Sequence, residues 1–177
     1  GAFKKHGLAI KSLGHDVVYV RNPNDLERCD GLIIPGGEST TIAKLLSSQN
    51  FHGKLSSFAG KKPLFGTCAG LILMAKSIVE SNPVPTLNIL DVAVKRNGYG
   101  RQTDSFSTRV ATTLGAECEA IFIRAPMIKE YGPGVKILAR HEETPILVQA
   151  RHHLAASFHP ELTEDLSIHK YFLSLCQ

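Results

Sequence analysis

The stretch LFGTCAGL, at residues 64–71, is the strongest indication of architecture in this chain. It begins with apolar residues, passes through two glycines that flank Cys68, and runs into the apolar segment LILM at residues 71–74. The spacing of Gly66, Cys68 and Gly70 is that of a G-x-S-x-G turn with sulfur in place of oxygen. Flanking glycines let a strand and a helix approach closely at such a turn. The stretch therefore predicts a buried strand, a strained turn at Cys68 and a helix that follows it.

The segments around this turn alternate between strand-like and helical patterns. Short runs rich in Val, Ile and Leu predict strands, and the longer amphipathic runs predict helices. The predicted strands are 16–20, 31–34 and 63–65, and the predicted helices are 3–13, 39–48, 51–59 and 69–79. This alternation is typical of a parallel sheet with helices on both faces.

The second half of the chain has closely spaced strand-like segments instead. They are 87–94, 105–108, 120–123, 135–141, 145–150 and 154–158, and a closing helix is predicted over 162–175. Several of these strands must be antiparallel neighbours, so we expect an α/β fold with a mixed, mainly parallel central sheet in a single domain, 1–177. A doubly wound sheet normally has a leading strand in its middle. Because the chain opens with a predicted helix, we expect that usual first strand to be absent from this chain.

Composition narrows the classes of function. Hydrophobic residues make up 43% of the 177 residues, which argues against a disordered chain. The 20 basic and 16 acidic residues give a net charge of +4, too weak and too scattered to indicate nucleic acid binding. No apolar run is long enough to span a bilayer. The cysteines have no metal-site spacing, and they are Cys29, Cys68, Cys118 and Cys176. We expect free thiols, a cytoplasmic location, and no nucleic acid or membrane partner.

Cys68 is the candidate nucleophile. It lies at the N-terminus of the predicted helix, where the helix dipole and free N–H groups stabilise a thiolate. The backbone amide of Ala69 would point toward an oxyanion formed on an attacked carbonyl. A buried cysteine in a glycine-rich turn is the alternative, and the motif alone leaves it open. The strand before Cys68 and the apolar helix after it favour the nucleophile.

His159 and Glu161 are the candidate base and its orienting acid. His159 follows the predicted strand 154–158, and Pro160 biases it toward an extended backbone. The Glu161 carboxylate can fold back toward the imidazole, select its tautomer and stabilise the imidazolium. Pro160 and Glu161 are equally ordinary in the first turn of a helix. These residues therefore indicate catalysis only together with Cys68.

The remaining histidines are interpreted as structural. They are His6, His15, His52 and His169 on predicted helix faces or turns, His141 at a predicted strand end, and His152 and His153 in a predicted hairpin turn. We expect the two histidines of the hairpin turn to be solvated.

Three further segments could bind a ligand. The segment PGGEST, at 35–40, follows a predicted strand, and its glycines could turn backbone amides toward a ligand, although a tight turn with a capped helix would use the same residues. Residues 96–106 place many polar groups between strands, and residues 122–126 end a strand with Arg124. Arginines at strand ends suit a substrate carboxylate, but solvated surface arginines are commoner.

Together these motifs resemble the class I, or triad, glutamine amidotransferases, in which a G-x-C-x-G turn pairs with an H-P-E segment. The segments 35–40, 96–106, 122–126 and 158–162 make the chain similar, over essentially its whole length, to the glutaminase subunits of pyridoxal 5'-phosphate synthases. The fold that this resemblance implies is a flavodoxin-like three-layer sandwich. The roles that it implies are Cys68 as nucleophile, His159 as base, Glu161 as its partner, the amides of Gly37 and Ala69 as oxyanion hole, and Gly36, Gly37, Glu38, Arg96, Ile123 and Arg124 as the glutamine-binding set.

The resemblance also implies an activity. Glutamine would be hydrolysed to glutamate and ammonia through a glutamyl thioester, with no metal or cofactor. The ammonia would pass to a (β/α)8-barrel synthase subunit in a hetero-oligomeric complex that makes pyridoxal 5'-phosphate. Two alternatives stay open: a glutaminase subunit that feeds a different synthase, and a non-catalytic binding subunit that keeps the fold.

Overall fold

The computed structural model describes residues 1–48, 51–80, 84–100 and 105–177. The helices are α1 (Ala2–Ser12), α2 (Ser39–Ser48), α3 (Phe51–Ala59), α4 (Ala69–Met74) and α5 (Ser167–Leu175), and short 3-10 helices cover Pro23–Arg28 and Pro160–Leu162. The strands are β1 (Leu32–Ile34), β2 (Leu64–Thr67), β3 (Ala75–Ile78), β4 (Leu90–Lys95), β5 (Ser105–Ala111), β6 (Glu117–Ile123), β7 (Met127–Tyr131), β8 (Val135–His141), β9 (Thr144–Ala150) and β10 (His153–Ala156). No helix within these ranges has both the length and the hydrophobicity that crossing a bilayer requires.

The central sheet is mixed. Its strand order is β1-β2-β10-β9-β8, and β2 runs parallel to both β1 and β10. The strands β9 and β8 continue the sheet in antiparallel hairpins. Smaller sheets pair β3 with β4 and β7, and β5 with β6. The predicted mixed α/β architecture is therefore confirmed, and its parallel strands β2 and β10 end at the same edge.

The two faces of the central sheet carry different helices. Successive residues of a strand point to opposite faces, and β2 shows this clearly. Leu64 belongs to the hydrophobic cluster that includes Ala43 of α2 and Ala59 of α3. Phe65 belongs to the other large cluster, where its ring lies 5.5 Å from that of Phe172 in α5. The sheet is thus covered by helices on both sides, which explains why every residue of β2 is buried.

The helix after Cys68 is shorter than predicted. The sequence predicts a helix over 69–79, but α4 ends at Met74 and the next four residues form β3, which pairs in parallel with β4. Tertiary hydrogen bonds explain the change. The carbonyls of Leu73 and Met74 accept from the amides of Leu87 and Ile89, at 2.7 and 2.9 Å, so they are satisfied without another helical turn.

Two other sequence predictions are wrong in detail, and one strand was missed. Residues 16–20 form no strand, since none of the described strands pairs with them, and a strand depends on a hydrogen-bonded neighbour. The strand β7 was not predicted. The closing helix begins at Ser167 rather than at 162, because the Asp165 carboxylate accepts from the Ser167 amide at 2.8 Å and the Thr163 hydroxyl accepts from the Asp165 amide.

The prediction that His152 and His153 are solvated is also wrong. His153 is buried at the start of β10, and its Nδ1 accepts a hydrogen bond from the Leu64 amide at 3.1 Å. Burial lowers the pKa of His153 to about 4. His152 is half-buried, with its Nε2 2.9 Å from the Ala59 carbonyl. Both side chains tie the end of the β9–β10 hairpin to the core.

Candidate active site

The backbone holds Cys68 in a strained turn between β2 and α4. Its φ of 50° is in the left-handed region, which non-glycine residues adopt rarely and at an energetic cost. The Cys68 amide donates to the Ala156 carbonyl at 2.9 Å, which anchors the turn to the end of β10. The side chain is 7% exposed. The turn thus presents the sulfur at the edge where the parallel strands end.

The glycines of the turn are required by close packing. A Cβ on Gly66 would lie 2.6 Å from the Gly70 carbonyl carbon and from the Met74 sulfur. A Cβ on Gly70 would overlap the Ile34 carbonyl oxygen of β1. The strand β1, the strand β2 and the helix α4 can approach one another only because neither position has a side chain.

His159 and Glu161 reach the same edge from β10. The His159 amide donates to the Ile121 carbonyl of β6 at 2.8 Å, which fixes the chain after the strand. The 3-10 helix that follows carries Glu161, whose Oε1 lies 2.8 Å from Nδ1 of His159. His159 is 8% exposed, and Cε1 of its ring and Cβ of Cys68 both lie against Gly36. The structure therefore brings Cys68, His159 and Glu161 into one buried cluster.

Electrostatics favour a protonated His159 and an ionised Glu161. Burial alone would lower the pKa of His159, but the hydrogen bonds and charges of Cys68 and Glu161 outweigh it and raise the pKa to about 9. Burial alone would raise the pKa of Glu161, but the hydrogen bond with His159 and the positive charge of that imidazolium hold the pKa below its usual value. At pH 7 the pair is an imidazolium beside a carboxylate, and the imidazolium can stabilise negative charge on the neighbouring sulfur.

The loop between β1 and α2 packs directly against this pair. A Cβ on Gly36 would lie 2.5 Å from Cε1 of His159 and 3.5 Å from Cβ of Cys68. Gly37 has a φ of 152°, at the border of the region that favours glycine. Glu38 caps α2 through its carboxylate, which accepts from the amides of Thr40 and Thr41 at 3.0 and 2.7 Å. The Thr41 hydroxyl and these amides lower the pKa of Glu38 to about 2. The loop is thus held by an ionised, exposed carboxylate.

The other predicted ligand-binding residues lie in two neighbouring segments, and one of these segments contacts Cys68. The Ile123 carbonyl is 3.8 Å from the sulfur of Cys68, and Arg124 follows with a left-handed φ of 44°. Arg96, after β4, forms an ion pair with Glu80, with Nη2 and Oε2 2.6 Å apart. The Gly98 amide donates to the Ala125 carbonyl at 3.0 Å and joins the two segments. Residues 101–104 of the predicted segment 96–106 lie outside the described residues.

Two buried histidines near Glu161 were interpreted from the sequence as structural. His6 of α1 contacts Glu161, and His169 of α5 contacts His6. Helical periodicity contains the missing signal: His6 shares a face with the buried Ala9 and Ile10, and His169 lies three residues before the buried Phe172. A histidine on a buried helical stripe must find polar partners, and here it finds them at the site.

The mixed α/β fold is that of the class I glutamine amidotransferases. A sequence model of the SNO glutamine amidotransferase family matches residues 1–177, and the chain belongs to this family.

The chain is similar to proteins with more specific names. It is 46% identical over 177 residues to the pyridoxal 5'-phosphate synthase subunit PdxT of Thermosipho africanus (strain TCF52B), covering 99% of this chain and 94% of the relative. The PdxT subunit of Francisella philomiragia subsp. philomiragia is 45% identical over 175 residues, with the same coverage. A solved structure described as a glutamine amidotransferase superposes with a TM-score of 0.94 at 44% identity, covering 99% of this chain and 94% of that one.

Proposed function

We propose that this chain is the glutaminase subunit of a pyridoxal 5'-phosphate synthase, and that Cys68, His159 and Glu161 are its catalytic triad. The observation that carries the proposal is the buried cluster at the ends of parallel strands, in which Glu161 contacts His159 and His159 lies with Cys68 against Gly36. The relatives named PdxT support the choice of synthase. The whole chain, 1–177, forms the one domain that does this work.

In the first half-reaction, the Cys68 thiolate attacks the side-chain amide carbon of glutamine and forms a carbon–sulfur bond. The amides of Gly37 and Ala69 donate to the oxyanion of the tetrahedral intermediate. Protonated His159 transfers its proton to the amide nitrogen, the carbon–nitrogen bond breaks, and ammonia leaves. The product is a glutamyl thioester on Cys68.

In the second half-reaction, neutral His159 takes a proton from water as the water oxygen attacks the thioester. The carbon–sulfur bond breaks, glutamate leaves, and Cys68 and His159 return to the thiolate–imidazolium pair. Glu161 stays ionised throughout, because it orients the imidazole and stabilises its positive charge.

Glutamine binding falls to the residues around the triad. The loop before α2 contacts glutamine through Gly36, Gly37 and Glu38. The backbone of Ile123 contacts it next to the nucleophile. We place Arg96 and Arg124 at the carboxylate of glutamine, because guanidinium groups bind carboxylates with paired N–H donors. In this arrangement Glu80 orients Arg96 through their ion pair.

The released ammonia passes to a (β/α)8-barrel synthase subunit in a hetero-oligomeric complex, and we place this complex in the cytoplasm. The relatives' shared description as a synthase subunit supports a partner that consumes the ammonia.

Glutamate release from glutamine, measured with and without the synthase subunit, tests the proposal. We expect release by the wild-type chain in the complex and none by Cys68→Ala. Cys176→Ala is the matched control, because burial raises the pKa of Cys176 to about 11 and makes it a poor nucleophile. A chloroketone analogue of glutamine should label Cys68 alone. Release that survives Cys68→Ala, or equal labelling of the four cysteines, would contradict the proposal.

A further inference from the structure

A buried polar network continues beyond the triad into two helices. Nε2 of His6 lies 3.3 Å from Oε2 of Glu161 and 3.1 Å from the hydroxyl of Thr67. Nδ1 of His6 lies 2.8 Å from Nε2 of His169. All four side chains are buried. A buried polar group is stable in a core only when hydrogen-bond partners compensate for its lost hydration. These four side chains are therefore expected to satisfy one another.

His6 bridges the two halves of the site. Thr67 is the residue before Cys68, at the end of β2, whereas Glu161 belongs to the turn that carries His159. Nε2 of His6 therefore contacts both β2, which ends next to Cys68, and the 3-10 helix that carries Glu161. Its own helix, α1, is not adjacent in sequence to either segment.

The proton positions follow from the ionised carboxylate. A carboxylate oxygen only accepts hydrogen bonds, so Nε2 of His6 must carry the proton that faces Oε2 of Glu161. In a neutral imidazole the other nitrogen then accepts, and His169 must donate from its Nε2 to Nδ1 of His6. This assignment leaves Nδ1 of His169 as a bare acceptor. That atom is buried and has no hydrogen-bond partner among the described residues, which fits an acceptor better than an unmade donor.

We propose that His6, held in one tautomer by His169, is a positioning residue that fixes the Glu161 carboxylate between two imidazoles and ties it to the nucleophile strand. This inference rests on the proposed triad. Oε2 of Glu161 is buried and lacks any hydrogen bond of standard geometry among the described residues. The N–H of His6, shared between this oxygen and Thr67, is therefore the donor that keeps the carboxylate ionised and oriented toward His159.

The surroundings keep both outer histidines neutral. Burial lowers the pKa of His6 to about 4, against the opposing charge of Glu161, and the positive charge of His159 lowers it further. Burial also lowers the pKa of His169, against the charges of Glu161 and Asp165. The ring of Phe65 lies edge-on to His6 and to His169, at 6.1 Å in each case. Because both histidines are neutral and lie against the ring of Phe65, His6 can donate its N–H to Glu161 without adding a second positive charge to the site.

The test compares three variants in the complex with the synthase subunit. His6→Leu removes the N–H, so we expect kcat to fall about tenfold to hundredfold, with a smaller change in KM. The acid limb of the pH–rate profile should move to higher pH by about one unit, because the ionised form of Glu161 loses a donor. His6→Gln keeps a donor near the position of Nε2 and should restore most of the rate and of the profile.

His153→Leu is the matched control. His153 is equally buried, and its pKa is also lowered to about 4, but its partner is the Leu64 amide rather than the triad. We expect it to lower the thermal midpoint and to leave the pH–rate profile in place. Equal effects of His6→Leu and His153→Leu on the profile, or no effect of either, would overturn the inference.

A second variant covers the case in which His6→Leu fails to fold. His169→Leu removes the donor that selects the His6 tautomer, so the acid limb should shift in the same direction and by less, and His169→Gln should reverse the shift. The pKa of Glu161, measured by carbon-13 NMR in folded His6→Gln and His169→Leu, gives a readout independent of rate. An unchanged Glu161 pKa in His169→Leu would refute positioning by His6. Activity that survives Cys68→Ala would instead refute the triad, so the two failures are distinguishable.

Discussion

The proposed nucleophile and the proposed base of this site are positioned by two different kinds of interaction. Cys68 is placed by backbone geometry: a left-handed φ, two glycines that permit close packing, and an amide bonded to β10. The backbone of His159 is also anchored by an amide, to β6, but its ring is oriented by side-chain contacts that pass through Glu161 to His6 and His169. The first arrangement is complete within one strand–turn–helix unit and its neighbour strands, whereas the second draws on helices from both ends of the chain.

The difference predicts two kinds of failure. Damage to the nucleophile turn should disturb the fold, because backbone segments would be forced apart. Substitutions among the side chains that orient His159 should impair catalysis first, because the backbone can stay in place while the charge and orientation of the imidazole are lost. The following substitutions separate these outcomes.

The largest effect is expected from Gly70→Ala. The new methyl group would overlap the backbone carbonyl of Ile34, and neither β1 nor α4 can yield without disturbing the core. We expect a loss of roughly 3 kcal/mol in the free energy of unfolding, and a loss of glutaminase activity with it. Urea unfolding measures the first and glutamate release the second.

Gly53→Ala, in α3, controls for the added methyl group. Nothing lies within 4 Å of its new Cβ, so stability should stay the same or rise by about half a kcal/mol. If Gly70→Ala proved as stable as this control, the close packing of the turn would not be what holds Cys68 in place.

Glu161→Gln should impair chemistry and spare the fold. The amide has no charge to stabilise the imidazolium, and its N–H can donate to Nδ1 of His159 and select the wrong tautomer. We expect kcat to fall roughly 10²- to 10⁴-fold. Circular dichroism and the thermal midpoint should show a folded protein. Glu164→Gln, an exposed carboxylate three residues further on, should keep the wild-type rate.

Gly36→Ala tests the contact between the loop and the base. Its Cβ would press on Cε1 of His159, and the ring must rotate away from its hydrogen bond with Glu161. A displacement of that kind should lower kcat by roughly tenfold to hundredfold. Stability should fall by only about 1 kcal/mol, since a side chain rather than backbone gives way.

Gly134→Ala is the control for this substitution, because its Cβ would meet no atom within 4 Å. It should match the wild type in both rate and stability. A Gly36→Ala variant with a normal rate would indicate that the loop moves away from His159 during the reaction.

A reversible effect is the pH dependence of stability. His6 and His153 have pKa values lowered to about 4, so below pH 6.5 the unfolded chain binds protons that the folded chain does not. Stability should therefore fall as the pH drops from 6.5 toward 4, by about 1 kcal/mol for each histidine between pH 6.5 and 5.5. His159 acts in the opposite direction: its contribution is complete below pH 6.5 and is lost as the pH rises through about 9.

Urea unfolding of the wild type and His6→Gln at several pH values checks this dependence. The free energy of unfolding of the variant should fall less steeply with decreasing pH, because the contribution of His6 is lost and that of His153 remains. Identical acid slopes for the two proteins would show that His6 is protonated in the folded state at these pH values.

Local patterns were sufficient for part of this structure. The alternation in residues 31–79 predicted β1, β2 and the helices between them, because apolar periodicity and glycine positions act over a few residues. The same patterns failed for residues 16–20 and 75–78, where the outcome depends on which other segment offers hydrogen-bond partners. The strand β3 exists because β4 lies beside it, and no periodicity in residues 69–79 encodes that neighbour.

The candidate site shows the same difference between features set by local sequence and features set by long-range contacts. The sequence by itself determined the turn at Cys68, the H-P-E segment and the family, because each depends on short-range geometry and on residue types at fixed spacing. Only the tertiary structure decided that α1 and α5 bring His6 and His169 to Glu161, that Glu38 caps its helix, and that Arg96 pairs with Glu80. The physical reason is that buried polar contacts join residues far apart in sequence, so their partners exist only after the chain has folded.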